Sequence, residues 1–99
     1  MDLDAFHELA TSYAGVRRTA SGGRVRWQRN GRLVARELDS THVVVRVPFD
    51  ARDALLHQYP DVFSVPPQFA KHMMVVADLA AGDDGAVEDA VAVAWRLQG

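Results

Sequence analysis

The chain contains no cysteine, which excludes disulfides, thiolate metal sites, iron–sulfur clusters and cysteine nucleophiles, and leads us to expect a reducing, cytoplasmic setting. Lysine is nearly missing too: Lys71 stands alone against ten arginines. No apolar run approaches the length that spans a bilayer, and the start Met1-Asp2-Leu3-Asp4 is acidic where a signal peptide is basic and then apolar. The four prolines and seven glycines build no linker, and no repeat or low-complexity tract divides the chain. Ninety-nine residues are too few for a two-domain dehydrogenase or a full barrel, so a single domain over residues 1–99 is expected. A composition of 48% hydrophobic and 24% charged residues is that of an ordinary globule with one core.

Chemistry-bearing constellations are also scarce. His7, His42, His57 and His72 fall on four different segments, none with a second ligand at metal-site spacing, so no metal is expected. The serines lack any nucleophile context, and Gly22-Gly23 is too short for a phosphate loop. The acids Asp50/Asp53 and Asp83/Asp84 read as helix caps. The sequence therefore argues for a non-enzymatic protein without cofactors. One candidate pocket is kept in view at Lys71-His72, where the last strand opens after Pro66-Pro67-Gln68-Phe69.

What is present is charge, unevenly placed. The net charge of -2 conceals seven arginines (Arg17, Arg18, Arg24, Arg26, Arg29, Arg32 and Arg36) in an acid-free stretch. The end of the chain reverses this, with Asp78, Asp83, Asp84, Glu88 and Asp89 against Arg96 alone. Such asymmetry marks a candidate anion-binding surface.

Periodicity supplies the elements. Leu3, Phe6, Leu9, Ala10 and Tyr13 predict an amphipathic helix over 2–14, with Asp2 or Asp4 as cap and Gly15 as stop. Thr19 to Gly23 is turn chemistry, followed by predicted strands at 24–29, 32–38 and 42–48. Asp50 caps a predicted helix through Tyr59, Phe63 and Val65 suggest a short extended piece, and 72–79 reads as the last strand. A final helix starts at Asp83 or Asp84 and carries Val87, Val91, Ala94 and Trp95 on one face. The order α-β-β-β-α-(β)-β-α predicts an α+β two-layer sandwich, an antiparallel sheet with helices on one face, because the early turns are too short for parallel crossovers.

The hairpin at Asn30-Gly31 decides where the arginines point. A three-residue loop with Gly31 in the left-handed position pairs Trp27 with Leu33, Arg26 with Val34 and Arg24 with Arg36. Val25, Trp27, Leu33 and Ala35 then face the core, and Arg24, Arg26, Arg32, Arg36 and Arg46 gather outside, with Val34 and Val44 among them. Glu37, Asp39 and the acidic last helix are the anions that could neutralise this face.

The run Tyr13-Ala14-Gly15-Val16, the hairpin ending Gly31-Arg32-Leu33-Val34-Ala35-Arg36, and Val43 to Val47 leading into Phe49-Asp50-Ala51-Arg52-Asp53-Ala54-Leu55-Leu56 are similar to the MmcQ/YjbR-like proteins. Pro60-Asp61-Val62-Phe63, Pro67-Gln68-Phe69 and Ala94-Trp95-Arg96-Leu97 extend the resemblance over nearly the whole chain. It implies a small bacterial α+β domain of the type described as DNA-binding through a double wing. On that reading Arg24, Arg26, Arg32, Arg36 and Arg46 contact DNA phosphates, and Arg17, Arg18 and Lys71 extend the footprint. With pI near 6.0, binding is expected to be weak and salt-sensitive. The alternative is a protein-interaction adaptor or homodimer using the same sheet face.

Overall fold

Two pairs of residues in left-handed backbone set the front of the sheet. Gly22 and Gly23 (φ 59° and 76°), then Asn30 and Gly31 (φ 54° and 74°), form two-residue turns with positive φ at both central positions. This is the turn whose twist matches that of paired strands. In the computed structural model, which describes residues 1–99, these turns open a meander of β1 (Val16–Ser21), β2 (Arg24–Arg29), β3 (Arg32–Glu37) and β4 (His42–Arg46). With β5 (Phe63–Ser64) and β6 (Met74–Asp78) they make a six-stranded antiparallel sheet in the order β1-β2-β3-β4-β6-β5. Helices α1 (Leu3–Thr11), α2 (Phe49–Gln58) and α3 (Asp84–Leu97) cover one face, giving the expected α+β architecture.

The core lies between these layers. Phe6 and Ala10 of α1, Leu55 of α2 and Ala86, Val87, Ala90, Val91 and Ala94 of α3 pack on Trp27, Ala35, Val43, Val45, Val75 and Ala77. Trp27 meets Phe6 edge-on, with ring centroids 4.8 Å apart, an arrangement that contributes about 0.5–1.5 kcal/mol beyond area burial. Helix ends follow the caps for α1 and α3, where Asp2 accepts from the Ala5 amide at 2.8 Å and Asp83 from the Ala86 amide at 3.1 Å. α2 differs from expectation. It begins two residues early, behind Pro48, so Asp50 lies in its first turn and accepts from the Ala51 amide instead of capping, and Asp53 is no longer placed to reach back to a cap.

Two sheet expectations are corrected. The segment read as a turn from Thr19 onward is strand through Ser21, because Gly22-Gly23 alone make the turn. β1 gave no alternation signal, since only Val16 in it is buried. The β2–β3 register is also different: Arg29 pairs with Arg32 and Gln28 with Leu33, and the ladder then shifts so that Trp27 pairs with Ala35 and Arg26 with Arg36. The two-residue turn, favoured by its twist, closes the hairpin, and an extra residue on β3 restores the core register one step later. Val34 is that residue; it is fully buried in the main core, not displayed outside.

The outer face is open on one half only. Val44 of β4 and Val76 of β6 point outward and are covered by Phe69, with Leu38, Val65 and Met74 around them. Phe69 is carried by a short 3-10 turn, Pro67–Phe69, which Arg52 of α2 holds in place. Its guanidinium donates to the carbonyls of Phe69 (3.3 Å), Ala70 (3.3 Å) and His72 (2.9 Å).

Candidate anion-binding face

The uncovered half of the outer face is built from β1, β2 and β3. Register places Thr19, Arg26, Arg36, Val44 and Val76 in one row across the sheet. Arg24, opposite Ser21, shares the outward parity of Arg26, and Arg17 stands opposite Gln28 on the same side. Arg46, opposite Met74, closes the face at the β4 end. Arg24, Arg26, Arg36 and Arg46 therefore occupy one face as expected, but the like-charge pair is Arg26 with Arg36, not Arg24 with Arg36.

Arg36 is the centre of this group. Partial burial first, and then the guanidiniums of Arg24 and Arg26, lower its pKa from the ordinary arginine value. Its guanidinium carbon lies 5.5 Å from the Phe69 ring centroid, at the boundary between the charged and the apolar halves. Arg24 donates to the Leu38 carbonyl at 3.3 Å. None of the ten arginines has a carboxylate oxygen within 4.0 Å; the ion pairs of the fold involve the N-terminal amine and His42.

The anions that could have neutralised the face either turn to the helix side or are engaged by His42. Glu37 faces the helix layer and lines a cleft of about 260 Å³ with Asp4, His7, Arg18 and Trp27. Asp39 is engaged at 2.9 Å by His42 Nδ1, and Asp78 lies 3.8 Å from Nε2 of the same ring. The Thr41 amide first, and then the His42 side chain, lower the pKa of Asp39. The acidic helix α3 packs on the opposite side of the sheet.

Two arginines expected on the outer face are not there. The bulge turns Arg32 over: it pairs with Arg29, whose guanidinium lies 4.1 Å from the Trp95 ring centroid and donates to the Trp95 carbonyl at 2.7 Å on the helix side. Arg18 stands opposite Trp27 and likewise faces the helix layer. Lys71 and His72 are exposed beside the Phe69 turn, and His72 lines none of the three surface clefts.

Both indoles are hydrogen-bonded, and His7 is the partner of one of them. His7 Nδ1 accepts the Trp27 indole N–H at 3.0 Å, and the Ala14 carbonyl accepts that of Trp95 at 2.8 Å. The signal for these was the indole itself, which needs a partner when buried. Beside Arg17, a cleft of about 430 Å³ is lined by Thr19, Gln28, Asn30, Gly15 and Gly31, with no hydrophobic residue among them.

No helix is long and apolar enough to cross a membrane, and no group of three or more His, Asp and Glu side chains is placed to hold a metal ion. Set against family models, curated proteins and solved structures, the chain matches none of them.

Proposed function

We propose that the outer face binds the phosphate backbone of nucleic acid, DNA in the first instance, as a weak and salt-sensitive surface without catalytic activity. The observation that carries this reading is Arg26 directly across from Arg36, beside Arg24, with no carboxylate oxygen within 4.0 Å of any of the three. Like charges opposed on a sheet are unfavourable by a few tenths to about 1 kcal/mol, and an anion between them reverses the sign. Arginine suits the task because its planar fork matches phosphate oxygens, positioning the ligand without reading sequence.

Arg17 and its polar cleft extend the footprint along β1, and Arg46 and Lys71 extend it toward the Phe69 turn. Arg18 and Arg32 drop out of the footprint because they face the helix layer. The alternative of a protein-docking face needs apolar anchors. Val34 and Val44, which the sequence offered for that role, are both fully buried.

Fluorescence titration of a labelled DNA duplex at several salt concentrations tests the reading. Three to five phosphate contacts correspond to a log–log salt slope of about −3 to −4.5. Arg26→Glu with Arg36→Glu is expected to abolish binding, whereas Arg32→Glu leaves it intact. Absence of binding at low salt, or equal loss from Arg32→Glu, overturns the proposal.

A further inference from the structure

The phosphate face takes only side chains from β1 and leaves the backbone of its exposed edge free. β1 is the outermost strand of the sheet, paired only with β2, and Arg17 to Ser21 are all exposed. Because the Gly22-Gly23 turn closes on the pair Ser21–Arg24, antiparallel alternation commits Ser21, Thr19 and Arg17 to β2. Arg18 and Ala20 then turn their N–H and C=O groups away from the sheet, where another strand can receive them. The opposite edge, β5, has two residues and is too short to serve.

Charge decides what fits. The chain holds no acid from Leu9 to Arg36. A second copy pairing about Thr19 would set Arg17 and Arg18 of both copies into two adjacent strands with nothing to neutralise them, so the edge resists self-pairing. An acidic strand is attracted by the same charge. Arg17 lies on the outer side of the edge, opposite Gln28 and diagonal to Arg26 of β2, and would meet carboxylates pointing outward. On the helix side, Leu3, Val25 and Trp27 give apolar walls to a cleft over the inner face of β1 to β3, and Asp4 and Glu37, which outnumber Arg18 there, disfavour a further carboxylate.

We propose that β1 docks an extended segment of a partner protein as a seventh strand, the segment carrying acids on alternate positions and apolar side chains between them. Backbone hydrogen bonds would hold the segment, and the two faces of the edge would select its pattern. The proposal shares Arg17 with the phosphate-binding reading but rests on the backbone edge and not on the Arg26–Arg36 pair, so either can fail without the other.

The test uses the full chain and two labelled six-residue peptides of the same composition, one alternating glutamate and valine, the other with its three glutamates before its three valines. The alternating peptide is expected to bind at low salt, to shift amide resonances of Val16 to Ser21, and to bind at least about tenfold more tightly than the block peptide. Ala20→Pro removes an outward N–H without touching the β2 ladder, and is expected to abolish peptide binding while leaving duplex DNA affinity unchanged. Arg17→Glu, which keeps the backbone edge, is expected to weaken the alternating peptide by at least about tenfold. Failure of the alternating peptide to bind, equal binding of the two peptides, or binding that survives Ala20→Pro overturns the proposal; the last would place the peptide on the arginine face instead.

Discussion

The indole N–H of Trp27 donates to Nδ1 of His7 at 3.0 Å, so the most deeply placed aromatic of the sheet is tied to the first helix by a single polar bond. The bond requires a free lone pair on Nδ1. His7→Ala leaves a buried donor without its acceptor and is expected to lower stability by about 1–3 kcal/mol. His7→Gln, which retains an acceptor, should recover part of that loss. Urea unfolding followed by tryptophan fluorescence measures both.

Arg26 offers an unusual combination. Replacing it with glutamate removes the repulsion across from Arg36 and supplies a partner, so stability should rise by a few tenths to about 1 kcal/mol while DNA binding falls. A purely structural arginine behaves the opposite way on the first count. Thermal unfolding and duplex titration on the same variant separate the two.

Asp39 gives the fold an acid limb. Its carboxylate is held below the ordinary range by the Thr41 amide first, at 2.9 Å, and then by His42. A depressed carboxylate contributes stability above its unfolded pKa, and that contribution is lost as pH falls through the folded value. Between about pH 5 and pH 2 the melting temperature of the wild type should therefore drop more steeply than that of Asp39→Asn.

Arg52 anchors the turn that carries Phe69. Its three carbonyl contacts converge on residues 69 to 72, a geometry one ammonium cannot copy. Arg52→Lys should destabilise by about 1.5–3 kcal/mol and raise amide hydrogen exchange in the Phe69–Met74 segment. Exchange measured by NMR would show whether the loss stays local.

The parts of the fold legible in the sequence were those with a strong period. Val43, Val45 and Val47 alternate with His42, Val44 and Arg46, and the caps Asp2 and Asp83 precede apolar stripes, so β4, α1 and α3 stand close to where the residues predict. β1 was hidden because an edge strand of arginines, threonine, alanine and serine buries almost nothing and shows no alternation. The bulge was hidden for a different reason. Local turn chemistry favoured Asn30-Gly31 as a two-residue loop and core patterning favoured separated faces, and only a displacement at Val34 satisfies both. That displacement kept Arg24, Arg26 and Arg36 outside and sent Arg32 to the other layer. The Arg52 contacts had no local signature, since their partners are backbone carbonyls 17 to 20 residues away.

The strand order also shapes how the chain reaches its native form. The ladders from β1 to β4 join sequence neighbours through short turns, so their loops close at little entropic expense and the meander can assemble from local contacts. The β4–β6 ladder spans the whole of α2 and the Phe69 turn, a much longer closure. The strands that bear the arginines are therefore expected early, and the apolar half that Phe69 covers late, so that the charged surface exists before the lid beside it has formed.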